Sequence, residues 1–240
     1  MSNDYFQFKQ FTIQQEECGM KVCTDSCLFG AWIAHKVGEE NIKPKNILDI
    51  GTGTGLLSLM LAQKCSAQID GIDVDSNSFT QATENFNASP WNERLHAFHS
   101  NINEWKPSGK YDLIISNPPF YENDLLPGDY GKSISKHSSL MRLEDLLLKA
   151  KDLLNEDGTF AVLLPWRRTL WFENAAANHS LLVKEKMEVK QTPAHSYFRT
   201  MALLQHQKND IVKTDMAIKT SQNEYTAGFS ELLKDYYLYL

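Results

Sequence analysis

A glycine-rich turn between an apolar strand and an apolar helix constrains this chain more than any other feature. Asp49-Ile50-Gly51-Thr52-Gly53-Thr54-Gly55 overlaps the run 45–50 (KNILDI) and precedes 56–64 (LLSLMLAQK), which is apolar almost all round. The first run reads as a buried strand and the second as a helix. The pattern continues with a strand over 67–75 (AQIDGIDVD), a helix over 76–89 with Ser76 as its N-cap, strands over 95–100 and 111–116, a helix over 142–154 and a strand over 159–165. Such alternation implies parallel strands joined by crossover helices. Two later stretches, 181–189 and 199–207, predict an antiparallel pair at one edge. The expected fold is therefore α/β: a mostly parallel seven-stranded sheet closed by that pair, with helices on both faces.

The 240 residues, 42% of them apolar, can bury a substantial core. A single domain is expected over 1–240, with 1–40 preceding the sheet and 41–240 forming the core. Within the first segment, 19–34 reads as a turn followed by a helix. The long polar link 121–141 has the length of a functional loop. The tail 225–240 (YTAGFSELLKDYYLYL) reads as an amphipathic, aromatic helix packed on the core. No run approaches the ~20 apolar residues that span a bilayer. The opening 1–11 has no apolar signal segment, so a reducing, cytoplasmic compartment and free thiols at Cys18, Cys23, Cys27 and Cys65 are expected. The cysteine spacings fit no zinc module, and no metal is expected.

The net charge of −6 argues at first against a nucleic-acid partner. The charge is uneven, however. Residues 1–129 hold 9 basic and 17 acidic side chains, a balance of −8, whereas 130–220 hold 14 and 10, a balance of +4. A basic stretch on an acidic chain can mark the face that meets an anionic partner.

Glycines at the carboxyl end of a strand let backbone approach a ligand. The spacing here is G-x-G-x-G, and Leu56 breaks the G-x-G-x-x-G of a dinucleotide site. Asp73, 22 residues after Gly51, closes the next strand, where a carboxylate can accept both ribose hydroxyls of an adenosyl group. Asn101, after the third strand, stands where an amide oxygen can accept from an adenine amine.

A second motif, Asn117-Pro118-Pro119-Phe120, follows the strand 111–116. The prolines fix the backbone and remove donors, leaving the Asn117 amide oxygen and the Pro118 carbonyl as acceptors for one planar amine. Phe120 offers a face on which a nucleobase can stack. No Ser/His/Asp or Cys/His nucleophile is evident. An activated methyl donor needs none, because the site mainly aligns donor and acceptor.

These motifs resemble those of the Rossmann-like class I S-adenosylmethionine-dependent methyltransferases that modify planar amines. The segments FKQF (8–11), MKVCTDSCLFGAW (20–32), DIGTGTGLLSLMLAQ (49–63), SPW (89–91), LIISNPPF (113–120) and the aromatic tail narrow the resemblance to the bacterial tRNA(Val) adenine-N6 methyltransferase family. The resemblance implies S-adenosylmethionine as cofactor and tRNA as partner, the reaction being formation of N6-methyladenosine 3′ of the anticodon. It makes 1–40 the segment that covers cofactor and substrate and places Asp49, Gly51, Gly53, Gly55, Asp73 and Asn101 at the cofactor, with Lys21, Thr24 and Asp25 closing over its methionine end. Asn117 and Pro118 would hold the amine beside Pro119, and Phe120 would stack the flipped base. Relatives commonly carry Asp where this chain has Asn101, which implies altered adenine recognition. For RNA contact the candidates are Arg167, Arg168 and Arg199, near Trp166, Lys184, Lys186, Lys190, His195 and Tyr197. A monomer is expected. Other readings of the same residues are a methyltransferase for DNA adenine, an rRNA base or protein glutamine, or a non-catalytic adenosyl- or RNA-binding module.

Overall fold

The structure, a computed structural model, describes residues 3–39, 42–119, 143–208 and 210–240. A short antiparallel hairpin, β1 (Tyr5–Gln7) and β2 (Thr12–Gln14), precedes helix α1 (Thr24–Glu39). The alternating region follows as β3 (Asn46–Ile50), α2 (Leu56–Ala62), β4 (Gln68–Asp73), α3 (Ser76–Asn87), β5 (Leu95–His99) and β6 (Tyr111–Ser116). After the link come α4 (Leu143–Leu153), β7 (Leu154–Pro165), a 3-10 turn at Trp166–Arg168, and α5 (Thr169–Asn178). The chain closes with β8 (Leu182–Lys190), β9 (Tyr197–Gln205), β10 (Val212–Ala217) and α6 (Ala227–Leu233).

The main sheet has eight strands in the order β10-β8-β9-β7-β6-β3-β4-β5. Only β9 runs against its neighbours; every other pairing in this sheet is parallel. The expected antiparallel pair exists, but β9 is inserted between β7 and β8, and β10 continues the sheet beyond them as an eighth strand. β10 escapes a pattern search because its sequence, VKTDMA, lies exposed over four of its six positions and carries no apolar alternation.

Why the central strands read as continuous apolar runs is visible in the two cores. Ile47, Leu113, Ile115, Ala161 and Leu163 face the layer of α1, α2, α3 and α6. Their neighbours Leu48, Ile114, Phe160, Val162 and Leu164 face α4 and α5. With both faces covered, parallel strands read as near-continuous apolar runs. Helix α2 is buried at every position because α1 packs on its outer side.

Local details depart from expectation in two places. Asp75, one residue before Ser76, is the N-cap of α3; its carboxylate accepts from the Ser78 N–H at 2.8 Å. The aromatic tail yields only the seven residues of α6 as helix. Phe229, Leu233 and Tyr236 are nevertheless buried, and the Tyr236 hydroxyl donates to the Met60 carbonyl at 3.0 Å. The tail thus packs on the core, as the sequence suggests. Among the described residues Cys18 and Cys27 are buried, Cys23 and Cys65 half-buried, and all four are free thiols.

Candidate active site

A cleft of about 1130 Å³ opens at the carboxyl ends of β3, β4 and β6. In open α/β sheets this edge takes the ligand. Its floor is the turn after β3, where Gly51, Gly53 and Gly55 have φ of +72°, +56° and +81°. L side chains rarely adopt such angles, which accounts for the three glycines. Their roles then diverge. A Cβ on Gly51 or Gly53 would stand in open space on the cleft side, whereas one on Gly55 would lie 2.5 Å from the Phe86 ring. Gly55 therefore serves the packing of the turn on α3 and does not line the cleft.

Four of the turn's backbone donors are spent internally. Gly51 and Thr52 N–H groups donate to the Ile72 carbonyl at 2.9 and 3.0 Å, and Gly55 N–H donates to Thr52 O at 2.8 Å. Gly53 N–H donates to Asp73 Oδ2 at 2.9 Å. A phosphate-binding turn keeps such groups free and pointing at the anion. Among the described residues, Glu17, Asp73, Asp75 and Asp145 also line the cleft against one cation, Lys21. The lining is net acidic, which suits a ligand that carries positive charge.

Asp49 is fully buried and does not line the cleft, contrary to its expected contact with the cofactor. Its Oδ2 accepts from Thr52 Oγ1 at 2.8 Å and Ser58 Oγ at 2.7 Å, so it ties the turn to the start of α2. Oδ1 has no partner, and burial pushes the carboxyl up to about 6. Asp73 does line the cleft. Its two oxygens accept from Gly53 and Asp75 N–H groups, and burial raises it above the ordinary carboxylate range. Each oxygen retains a second lone pair for a hydroxyl donor. Asn101 lines the cleft too, yet its Oδ1 already accepts from Asn103 N–H at 2.9 Å in its own loop.

Of the three residues expected near the methionine end, only Lys21 reaches the cleft wall; its Nζ donates to the Asn3 carbonyl at 3.3 Å. Thr24 is exposed at the start of α1, and Asp25 pairs with Arg199, Nε to Oδ2 2.7 Å. Both lie outside the lining. Successive helical side chains turn by about 100°, and it is the next residue, Ser26, that faces inward. Ser26 is buried and lines the cleft, and its Oγ accepts from Asn117 Nδ2 at 2.8 Å. The Cys23 thiol lies 2.9 Å from the same oxygen. Sequence reasoning missed Ser26, although it belongs to the TDS triplet of the segment that carried the resemblance.

Asn117 follows β6 at the cleft rim, half-buried. With its Nδ2 held by Ser26, its Oδ1 is the end left to receive a donor. Pro118 is buried behind it and Pro119 is exposed on the wall. Phe120 and the link 121–141 lie outside the described residues. The segment that ends in Lys21 is fastened to the site through Asn85 of α3. The Asn85 side chain accepts from Gln14 N–H at 2.8 Å and donates to the carbonyls of Gln14 and Thr54 at 2.9 and 2.8 Å.

The basic stretch is more neutral in space than in sequence. Lys186 pairs with Glu173, Lys190 with Asp215, Lys213 with Glu188 and Arg199 with Asp25. Arg199 is therefore not the free cation it was expected to be. Arg168 is half-buried and partnered, while Arg167 is exposed. Among the described residues no three His, Cys, Asp or Glu side chains come together as a metal site, and no helix is long and apolar enough to cross a membrane.

One reversed strand near the edge of a parallel sheet, a glycine turn over an acidic cleft and an amide-proline corner on the next strand define a Rossmann-like class I methyltransferase. Residues 33–175 match the family model described as Methyltransferase small domain. The chain is 37% identical, over 100% of both chains, to a tRNA1(Val) (adenine(37)-N6)-methyltransferase of Christiangramia forsetii. It is 38% identical, over 99% of both, to the protein of the same name from Trichodesmium erythraeum. The chain belongs to the methyltransferase family that these relatives form. Its fold is also that of a predicted O-methyltransferase from Agrobacterium tumefaciens, with TM-score 0.66, 13% identity, and coverage of 86% of this chain and 95% of that one. A ribosomal protein L11 methylase from Lactobacillus delbrueckii subsp. bulgaricus gives 0.57 at 19% identity, covering 81% and 84%.

Proposed function

We propose that this chain methylates N6 of adenine 37 in tRNA1(Val), the activity for which its full-length relatives are named, using S-adenosylmethionine. The observation that carries the reading is the Asn117 amide, held through Nδ2 by buried Ser26 at the rim of an acidic cleft. The cleft fits the cofactor on its own evidence. Gly51 and Gly53 leave open the space a Cβ would fill. The Gly51, Thr52, Gly53 and Gly55 N–H groups are engaged within the protein, and the acidic lining suits a sulfonium.

Asp73 would accept the ribose hydroxyls, the Asn101–Asn103 loop would face the adenine edge, and Gly51, Gly53 and Lys21 would border the methionine end. Bound there, S-adenosylmethionine supplies a methyl group already activated by its positive sulfur. The protein's task is then to orient the nucleophile. Asn117 Oδ1 and the Pro118 carbonyl accept the two N–H groups of the target amine and draw its lone pair out of the ring and toward the cleft. Reaching that position requires the base to leave its stack, which costs little in an unpaired loop. A tRNA substrate implies action in the cytoplasm.

The test is nucleoside analysis of tRNA1(Val) after incubation with the protein and methyl-labelled donor. Label in N6-methyladenosine supports the reading. Label in another nucleoside, in DNA or in protein alone would replace it.

A further inference from the structure

The reversed strand has a consequence at the cleft edge of the sheet. Because β6, β7 and β8 run together, Asn117, Trp166 and Lys190 all emerge there; because β9 runs the other way, its first residue, Tyr197, starts there. Lys190 pairs in register with Tyr197, and Pro165 with Arg199. The outcome is an aromatic ledge. The Trp166 and Tyr197 rings lie 6.0 Å apart at 34°, and the Lys190 ammonium sits 5.2 Å from the Tyr197 ring centroid. Trp166 is 40% exposed, and exposed Arg167 adjoins it. Ser116 pairs with Val162, so Trp166 lies three residues further along its strand than Asn117, about 10 Å along and one strand spacing of about 5 Å across.

We infer that this ledge is a second base-binding site, where an unpaired nucleotide neighbouring the reacting adenine stacks on Trp166 and Tyr197. The inference rests on the tRNA reading of the cleft. Its chemistry is that of single-strand binding, in which aromatic faces take bases and adjacent cations take the backbone. It also accounts for the charge arithmetic. Lys186, Lys213 and Arg199 are paired within the protein, so RNA is held chiefly by stacking; exposed Arg167, and Lys190 on exchanging its exposed partner Asp215 for phosphate, supply about two phosphate contacts. Two contacts to a single strand give a slope of log affinity against log salt of about −1.4.

The experiment measures binding of an anticodon stem-loop RNA to the full chain by fluorescence anisotropy, with methyl incorporation into tRNA1(Val) followed in parallel. Trp166→Ala and Tyr197→Ala should each weaken RNA binding about tenfold, with melting temperature and methyl-donor affinity kept. Tyr197→Phe, which retains the ring, should bind as wild type. A loop with abasic sites flanking the target adenine should weaken wild type similarly and weaken Trp166→Ala little further. Alanine variants that bind like wild type, losses that multiply in the combined case, or a salt slope steeper than about −4 would overturn the ledge. Wild-type protein that neither binds nor methylates tRNA would instead sink the tRNA reading on which the ledge depends.

Discussion

Replacing Ser26 with alanine isolates the contact that aims the reacting amide. In the native site Ser26 Oγ accepts from Asn117 Nδ2 at 2.8 Å, and the serine is only 5% exposed. Removing the hydroxyl leaves the Asn117 NH2 without that acceptor and frees the amide to rotate, so its oxygen no longer faces the target amine for part of the time. A hydrogen bond of this kind contributes about 0.5–1.5 kcal/mol net, and an orphaned buried donor costs about 1–3 kcal/mol. Asn117 is half-buried at a cleft rim, where water offsets part of the loss, so about 1–2 kcal/mol is expected, or roughly 5- to 30-fold in kcat. The Ser26 hydroxyl is engaged by the Asn117 amide and the Cys23 thiol, so KM values for tRNA and methyl donor should change less than twofold. Steady-state methyl transfer with both substrates varied, together with a melting curve, separates this outcome from unfolding. A Ser26→Ala enzyme with wild-type kcat, beside an inactive Asn117→Ala enzyme, would refute the positioning argument.

Other perturbations follow from the same geometry. Gly55→Ala combines a left-handed backbone, about 1–2 kcal/mol, with overpacking against Phe86, about 1–3 kcal/mol, so thermal melting should fall by roughly 5–15 °C. Gly53→Ala carries the backbone strain alone and should melt higher than Gly55→Ala while losing about tenfold or more in methyl-donor affinity by calorimetry, because its methyl group enters the cleft. For Asp49, raised to about 6 in the fold from 3.8, the native state binds more protons than the unfolded chain between these values. Its contribution to stability therefore falls as pH rises from about 4 to 6 and stays low above, a change of up to about 3 kcal/mol. Denaturant unfolding of Asp49→Asn should lack that step, and an identical pH profile in both proteins would count against it. Arg199→Ala should lower the melting temperature by breaking the pair with Asp25 yet leave the salt slope of RNA binding unchanged; a shallower slope would restore Arg199 as a phosphate contact.

What the sequence disclosed, and what it hid, follows from burial. Strands β3, β6 and β7 were legible because both their faces are covered, and the glycine turn because three positive φ angles admit little else. β10 was hidden by its exposure, and the 3-residue strands of the N-terminal hairpin by their length. Helix α5 was hidden because its TLWFENAAAN has only three buried positions. Asp73, Asn101, Asn117 and Lys21, singled out by their places at strand ends or in a resembling segment, all line the cleft. Thr24 and Asp25 precede the inward-facing Ser26 by two and one residues of helical rotation, which a linear motif does not record. Asp49 and Gly55, expected at the cofactor, lie outside the cleft lining and build the turn from behind. The basic stretch misled for a similar reason, since sequence charge counts cannot show that Arg199 and Lys186 face carboxylates distant in the chain.

The central claim is that the cleft presents a methyl donor to the exocyclic amine of one adenine. Its most direct test is single-turnover methyl transfer to two tRNA1(Val) transcripts that differ only in carrying adenine or guanine at position 37, the position in the relatives' name. The account predicts incorporation into the adenine transcript alone, lost with Asn117→Ala. Equal labelling of both transcripts, or undiminished labelling by the Asn117→Ala enzyme, would contradict it.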